Sequence, residues 1–432
     1  MLIYVSRITA RADYIFKLVF SELGVNYELT TNLEHFKDFN LEKISYSSED
    51  NGNGYSIDAA PLLFEDNIKP LEPGIEWRIG IPYLFPNETK LGFDVFAAVF
   101  YMVSRYEEYL TYEPDQFGRY KASDSFAVKN KFIHLPVVDI WIEEFKKSLK
   151  DKYPALAFKE KKFEAVLTYD IDVAYAYKGR GLTRNIAAIG KDVLKLKMEN
   201  LGKRLMILAG IKPDPWDIYA GVRQQVINNK IPSIFFFLLG DYSDRDKNLP
   251  YSNTSMKNLT NEIASFSEIG IHPSFYSTEK PDKIKQEKAR LEQLTGKDIT
   301  KSRQHYLKFK LPDTYNELAK AGITEDYSMG FPEMPGFRAG TCTPFYFYDL
   351  KNEKPIQLKI FPVTCMEGSF KEYLHLLPTE SQTQILDLIE EVRKVKGTFI
   401  SIWHNHTLSD TEEYKEWKDV HDEMIYKIRI NL

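Results

Sequence analysis

Cysteine is scarce in this chain of 432 residues: only Cys342 and Cys365 are present. Two thiols cannot build the disulfide framework of a small secreted domain, and a reducing cytoplasmic setting suffices for them. An excess of one charge is missing too. The 57 basic and 62 acidic residues leave a formal net charge of -5, which gives no electrostatic reason to expect a nucleic-acid partner. No apolar run reaches the roughly 18 residues that a membrane helix needs. The longest, IPSIFFFLLG, is strand-sized and bounded by turn residues. The opening MLIYVSRITARADY lacks a basic segment followed by an apolar core and a small-residue cleavage site. The expectation is therefore a cytoplasmic protein without a signal peptide. No internal repeat and no low-complexity tract stands out.

What is present is globular. The composition is 43% hydrophobic and 28% charged, and the length exceeds what a single core usually fills, so two domains are expected. Aromatics reach 14%, which suits a carbohydrate-handling surface and, with more weight, a packed core. Residues 1–155 read as a mixed α/β domain. LIYVS, NYELT, YSIDAAPLLF and WRIGIPYLF have strand character, ADYIFKLVFSELG is an amphipathic helix closed by Gly24, and KLGFDVFAAVFYMVSRYEEYL is a buried helix. EDNGNG is a turn or loose loop. The dense charge of EEFKKSLKDKYPALAFKEKKF, with Pro154, marks the boundary.

Residues 156–432 follow a different grammar. EAVLTYD, IPSIFFFLLGD, EIGIHPS, QHYLKF, LKIFPVTCM and GTFISIWHN read as strands, with helices such as NLTNEIASFSEI and ESQTQILDLIEEVRKVK between them. That alternation argues for a parallel sheet with crossover helices, whose active site gathers at the carboxyl ends of the strands. The stretch from Ala174 to about Trp216 reads as an amphipathic helical insert, either a lid or partner surface or a solvated peripheral element.

Polar residues recur just past these apolar runs. Asp170 and Asp172 follow the first, His272 the third; Arg303 and His305 flank the fourth, and His404, Asn405 and His406 follow the last. On parallel strands all of them converge on one rim. Asp and His suit a divalent metal. A carboxylate that is not a ligand can take a proton from water, and a histidine opposite can protonate a leaving amine. Residues i and i+2 share a strand face, so Asp170 and Asp172 can enter one site in separate roles. Two adjacent carboxylates repel, and a cation relieves the repulsion. Helix capping or a structural ion pair is the plainer reading of the acids. His305 is equally readable as a core histidine, and Arg303 as a stabilising partner of a carboxylate.

From Phe163 to His406 the order of these segments resembles the polysaccharide deacetylases with NodB homology, carbohydrate esterase family four. TYDID is similar to the acidic motif after their first strand, commonly TFDDG, in a longer-spaced form. SFSEIGIHPS looks like their histidine motif, SRQHYLKF like their arginine motif, and GTFISIWHNH like their closing motif. The resemblance implies a distorted (β/α) barrel, preceded here by a smaller α/β or α+β domain. It also implies a divalent metal, zinc first with cobalt or nickel as alternatives. The implied reaction removes acetyl groups from N-acetylated sugars of a polysaccharide or glycan precursor. By position, Asp170 would be the base, Asp172 and His272 metal ligands, Arg303 the residue orienting Asp170, and His404 the general acid.

The family places a second metal histidine four residues after the first, where this chain has Tyr276. His305 is the nearest candidate to complete the set. Arg338 in GFRAGTCTPF, Trp403 and His406 are candidate substrate contacts, with a structural turn an equal reading for Arg338. His134 and Cys342 read as non-catalytic. A metal amidase acting on a small non-sugar amide and a non-catalytic carbohydrate-binding barrel are the competing functions. Residues 1 to about 155 lie outside the motifs and are similar to the extra domain of a Bacteroidetes-type branch of these proteins.

Overall fold

The computed structural model describes residues 1–49, 54–180 and 198–430. Residues 50–53 of the EDNGNG loop and residues 181–197 of the insert fall outside these ranges; the insert's later part includes a helix, Met198–Leu208.

The first half is organised by a small parallel sheet. Strands β1 (Leu2–Val5), β2 (Glu28–Thr30), β3 (Lys43–Tyr46) and β4 (Tyr55–Ile57) lie in the order β2-β1-β3-β4. The expected helix after β1 spans Ala10–Leu23. Thr9 accepts the Ala12 N–H at its start, and Gly24 at φ 67° ends it in the left-handed region. WRIGIPYLF is not one strand but a hairpin, β5 (Ile75–Arg78) and β6 (Ile81–Leu84). Ile79 and Gly80 both take positive φ, 48° and 78°, so the chain reverses in a two-residue turn of the kind that matches strand twist. The buried helix is shorter than its apolar run, Val95–Val103. Asp94 caps it, and Arg105 at φ 55° stops it while pairing with Glu107 and Glu108.

The second half is a nine-stranded sheet. Its strands are β7 (Glu164–Ile171), β8 (Ser233–Phe237), β9 (Glu268–Ile271), β10 (Lys301–Ser302), β11 (Glu325–Asp326), β12 (Phe345–Asp349), β13 (Lys354–Ile360), β14 (Cys365–Met366) and β15 (Thr398–His404). The order is β12-β13-β11-β10-β9-β8-β7-β15-β14, parallel except for β12 against β13. QHYLKF is not a strand: β10 precedes it, and His305–Leu307 form a 3-10 turn. LKIFPVTCM divides between β13 and β14, far apart in the sheet yet joined by residues 361–364. Such a link spans at most about 18 Å, so the sheet must roll up on itself. Of the expected distorted (β/α) barrel, the described strands show a rolled, largely parallel sheet with β12 and β14 at its two edges.

Rolling gives the sheet two different faces. Ile234, Phe236, Ile400 and Ile402, with Val166 beside them, form a small apolar cluster on the concave side. Leu167, Tyr169, Phe235, Phe399 and Trp403 belong to the large core on the other side. Gly270 sits where a Cβ would come within 2.6 Å of the Phe236 ring and 2.8 Å of the Lys301 carbonyl, so the inner layer closes only over glycine. The large core continues into the first half without a break: Tyr14 and Phe100 pack on Tyr348 of β12, and Arg11 pairs with Glu353 at 2.6 Å. No helix among the described residues is long and apolar enough to cross a membrane.

Candidate metal and hydrolase site

The carboxyl ends of β7, β9, β10, β14 and β15 surround a cleft of about 350 Å³ that rests on the concave apolar cluster. β7 delivers the two acids. In the register of the sheet Asp170 stands directly opposite His404 of β15. Asp170 is 3% exposed, and Arg303 reaches it from β10 with Nη1 2.9 Å from Oδ1. The same Nη1 donates to Thr168 Oγ1 at 2.6 Å, and Nε donates to the Tyr327 carbonyl at 2.9 Å. The arginine therefore fixes the rotamer of Asp170 through a charge-assisted bond in a buried setting.

Asp172 has a different neighbourhood. His272 Nε2 lies 3.2 Å from its Oδ1; His305 Nε2 and His404 Nε2 lie 3.6 and 3.7 Å from its Oδ2. Each imidazole is held from behind. His272 Nδ1 is 2.6 Å from the Arg303 carbonyl, and His305 Nδ1 is 2.9 Å from Asp246 Oδ1. Both partners can only accept, so Nδ1 carries the hydrogen in each ring, and in the neutral tautomer Nε2 presents a lone pair to Asp172.

One ligand atom each from Asp172, His272 and His305 lies within 4.8 Å of the others. The buried Oδ1 of Asp172 has no hydrogen-bond partner. A cation between His272, His305 and the two oxygens of Asp172 would take up the lone pairs that face one another there. Histidines backed by a carbonyl and a carboxylate are the usual outer support of a zinc-type site. The residues present fit a divalent metal.

Without a metal, protons take its part. Burial opposes the charge of Asp172, yet the surrounding imidazoles hold it well below the usual carboxylate range. His305 is pushed up to about 9: burial works against it, but Asp172 and Asp246 prevail. Across the cleft, His404 is raised to about 10 against burial, chiefly by Glu367 and then by Asp172 and Asp170. Glu367 Oε1 accepts from His404 Nδ1 at 2.7 Å, from the His404 backbone N–H at 2.8 Å and from Thr407 Oγ1 at 3.0 Å. His406 also lines the cleft, and burial followed by the neighbouring His404 charge lowers its pKa.

Two expected substrate contacts are corrected. Arg338 is 2% exposed and locked to Glu108 at 2.6 and 2.9 Å and to the Gly330 carbonyl at 2.9 Å, with Phe309 and Phe331 against its guanidinium. It staples the two halves of the chain together and lines no part of the cleft. Trp403 is 1% exposed and packs edge-on against His421. It is one residue from His404 on a strand, so its side chain falls on the opposite face. Tyr276, where the resemblance would have a histidine, turns outward to donate to Asp244 at 2.9 Å.

Glu367, Asp246 and Arg119 were not anticipated. Glu367 follows β14 as the other site residues follow their strands, so the same rule could have found it. Asp246 lies in the acid-rich loop DYSDRDKN after β8, where three aspartates look alike in sequence. Arg119 comes from the first half of the chain, and no local signal connects it with the cleft.

Comparison with known proteins divides the chain. Residues 1–154 match a family described as "Family of unknown function (DUF7033)". No curated protein matches. Among solved structures the chain is similar to a Mycobacterium smegmatis protein titled as an inferred polysaccharide deacetylase, at 14% identity and TM-score 0.40, covering 62% of this chain and 86% of that one. It is also similar to the catalytic domain of peptidoglycan N-acetylglucosamine deacetylase from Eubacterium rectale, at 12% identity, TM-score 0.31, and 64% and 90% coverage. A third is BA3943 from Bacillus anthracis, a pseudoenzyme of carbohydrate esterase family four, at 11% identity, TM-score 0.31, and 65% and 66% coverage. Likenesses this distant leave the chemistry to be argued from the site itself.

Proposed function

We propose that this protein is a metal-dependent hydrolase that removes acetyl groups from N-acetylated sugars of a polysaccharide or glycan precursor. The observation that carries the reading is the division of labour between the two acids. Asp170 is tied to a buried arginine at 2.9 Å and meets one imidazole, His272 Nε2 at 3.7 Å, while Asp172 is the acid around which three histidine nitrogens gather. Asp172, His272 and His305 would hold the metal, zinc first among the candidates. Bound there, a divalent ion supplies Lewis acidity toward water and the amide carbonyl.

The chain's own groups do the rest. Asp170, oriented by Arg303, takes the proton of the attacking water. His404, kept protonated by Glu367 on its far nitrogen, gives a proton to the amine as it leaves the acyl carbon. Tyr306, Tyr373 and His406 wall the cleft and offer flat surfaces for a sugar ring. The sequence motifs in their order, TYDID through GTFISIWHNH, support an N-acetyl sugar over other amides.

The test is acetate release from N-acetylglucosamine oligomers by the purified protein with zinc or cobalt added, beside Asp170→Asn. Release that is undiminished in Asp170→Asn refutes the base. Metal binding without release from any N-acetyl sugar refutes the substrate class.

A further inference from the structure

The third histidine of the cluster sits on an unusual piece of backbone. Directly after His305, Tyr306 and Leu307 take φ of 62° and 49°, two consecutive left-handed residues that both carry a Cβ. Such a pair persists only where its surroundings hold it. Backbone bonds from His305 to Pro273 and from Leu307 to Gln304 hold it within the second half, and a further hold comes from the first half of the chain. Asp115 to Arg119 form a compact turn in which Asp115 Oδ1 accepts the backbone N–H of Phe117 at 2.8 Å and of Arg119 at 2.9 Å. Arg119, 2% exposed, donates from Nε to Asp115 Oδ2 at 2.8 Å and from Nη1 to the Tyr306 carbonyl at 2.9 Å. Nη1 and Nη2 both reach Tyr373 Oη at 3.3 Å. Tyr373 belongs to the segment that leads away from Glu367, so one guanidinium bridges two rims of the cleft.

Phe117 completes the arrangement. Its ring lies 5.4 Å from that of Tyr306, and the Arg245 guanidinium lies 5.1 Å from its centre. Arg245 precedes Asp246, the carboxylate that fixes the tautomer of His305. The same turn thus packs on both the histidine's backbone and the loop bearing its orienting acid.

We infer that the 115–119 turn is a positioning element of the metal site: Arg119 holds the His305 turn in its strained form and ties it to the Glu367 segment. The inference rests on the reading of His305 as the third ligand. It gives residues 1–154 a part in the chemistry without any of them touching a metal.

The experiment uses the full chain and cobalt(II), titrated by its visible absorption and by competition with a chelator. Outer-shell changes at metal sites typically cost about 10- to 100-fold in affinity, and that loss is expected for Arg119→Ala and Arg119→Gln. Arg119→Lys should fall between them and the unaltered protein, because one ammonium can reach the carbonyl but cannot span both rims as a planar fork does. Arg11→Ala serves as the comparison. It removes another buried arginine of the first half, paired with Glu353, and should lower thermal stability while leaving cobalt affinity unchanged. Unchanged affinity in the Arg119 variants, or an equal loss in Arg11→Ala, overturns the positioning role while the metal site stands. No cobalt binding by the unaltered protein overturns the metal site and this inference with it.

Discussion

Replacing Glu367 by glutamine isolates the contribution of one buried charge to the proposed proton donor. The glutamate side chain is fully buried and that of His404 is 17% exposed, so solvent screens their interaction little. Glutamine keeps the volume and the acceptor oxygen, and the His404 backbone N–H and Nδ1–H can still find it. What disappears is the negative charge. An ion pair becomes an imidazolium–amide bond, still charge-assisted on one side, and on the scale of about 1.5–3 kcal/mol for a hydrogen bond to a charged group the imidazolium loses roughly 1.5 kcal/mol. That corresponds to about one pH unit. A bound metal would offset the charge of Asp172 but not that of Glu367, which faces the other ring nitrogen, so the effect should survive in the loaded protein.

The sign follows from the role. His404 is raised to about 10, and the donor must be protonated. Glu367→Gln should move the alkaline limb of the kcat/KM profile for acetate release to lower pH by about one unit and leave the acid limb in place. Stability should respond in the same direction. The native pair stabilises fully below the ordinary histidine value of 6.5, and its contribution is lost as pH rises through about 10. The unaltered protein should therefore lose more thermal stability across that window than the variant does. An alkaline limb that stays in place, in a variant that melts cooperatively, would refute Glu367 as the group that keeps His404 protonated.

The other expectations are simpler to state. Metal binding should release protons and strengthen as pH rises from 6 to 9, because His305 at about 9 must give up its extra proton; calorimetry in buffers of different ionisation enthalpy reads the proton count. Asp172→Asn should abolish cobalt binding yet fold, since it removes the carboxylate on which the lone pairs converge. Tyr276→Phe should leave cobalt affinity unchanged and shift stability by less than about 0.5 kcal/mol, because only its exposed bond to Asp244 is lost. Trp403→Ala should cost about 3–5 kcal/mol in denaturant unfolding through the cavity it leaves, whereas a substrate contact would show instead as a raised KM with stability intact.

Where the sequence was readable, a strand carried the information. Asp170, Asp172, His272 and His404 each end an apolar run, and the parallel register sets their neighbours at one rim. Parity along β15 also held the answer for Trp403: counting back one residue from His404 puts the indole on the helix-covered face. The 3-10 turn at His305 was not legible, because β10 contributes only two residues and the turn's left-handed backbone is held in part by Arg119 from outside. Glu367 was legible by the same rule as the strand-end residues, since it follows the apolar run LKIFPVTCM, but its pairing with His404 was not. β14 is also two residues long, and its place beside β15 follows from the roll of the sheet rather than from any local pattern. Arg338 misled because a loop arginine reads as exposed until its buried partner, Glu108, is brought across from the other half of the chain.

The tyrosine at position 276 loses its force as an objection once the strand ends are considered instead of the spacing. A histidine four residues past His272 would reach the site by one turn of backbone beyond β9. β10 lies next to β9 in parallel, with Ser302 opposite Ile271, and neighbouring strands are about 4.8 Å apart. A residue shortly past the end of β10 therefore starts about as close to the shared point as one past the end of β9. The rings of His272 and His305 indeed stand 5.0 Å apart. His305 is followed by the left-handed pair Tyr306 and Leu307, and Arg119 donates to the carbonyl of the first. On the proposed ligand set Tyr276 has no part in the site, and Arg119 ties down the turn after His305.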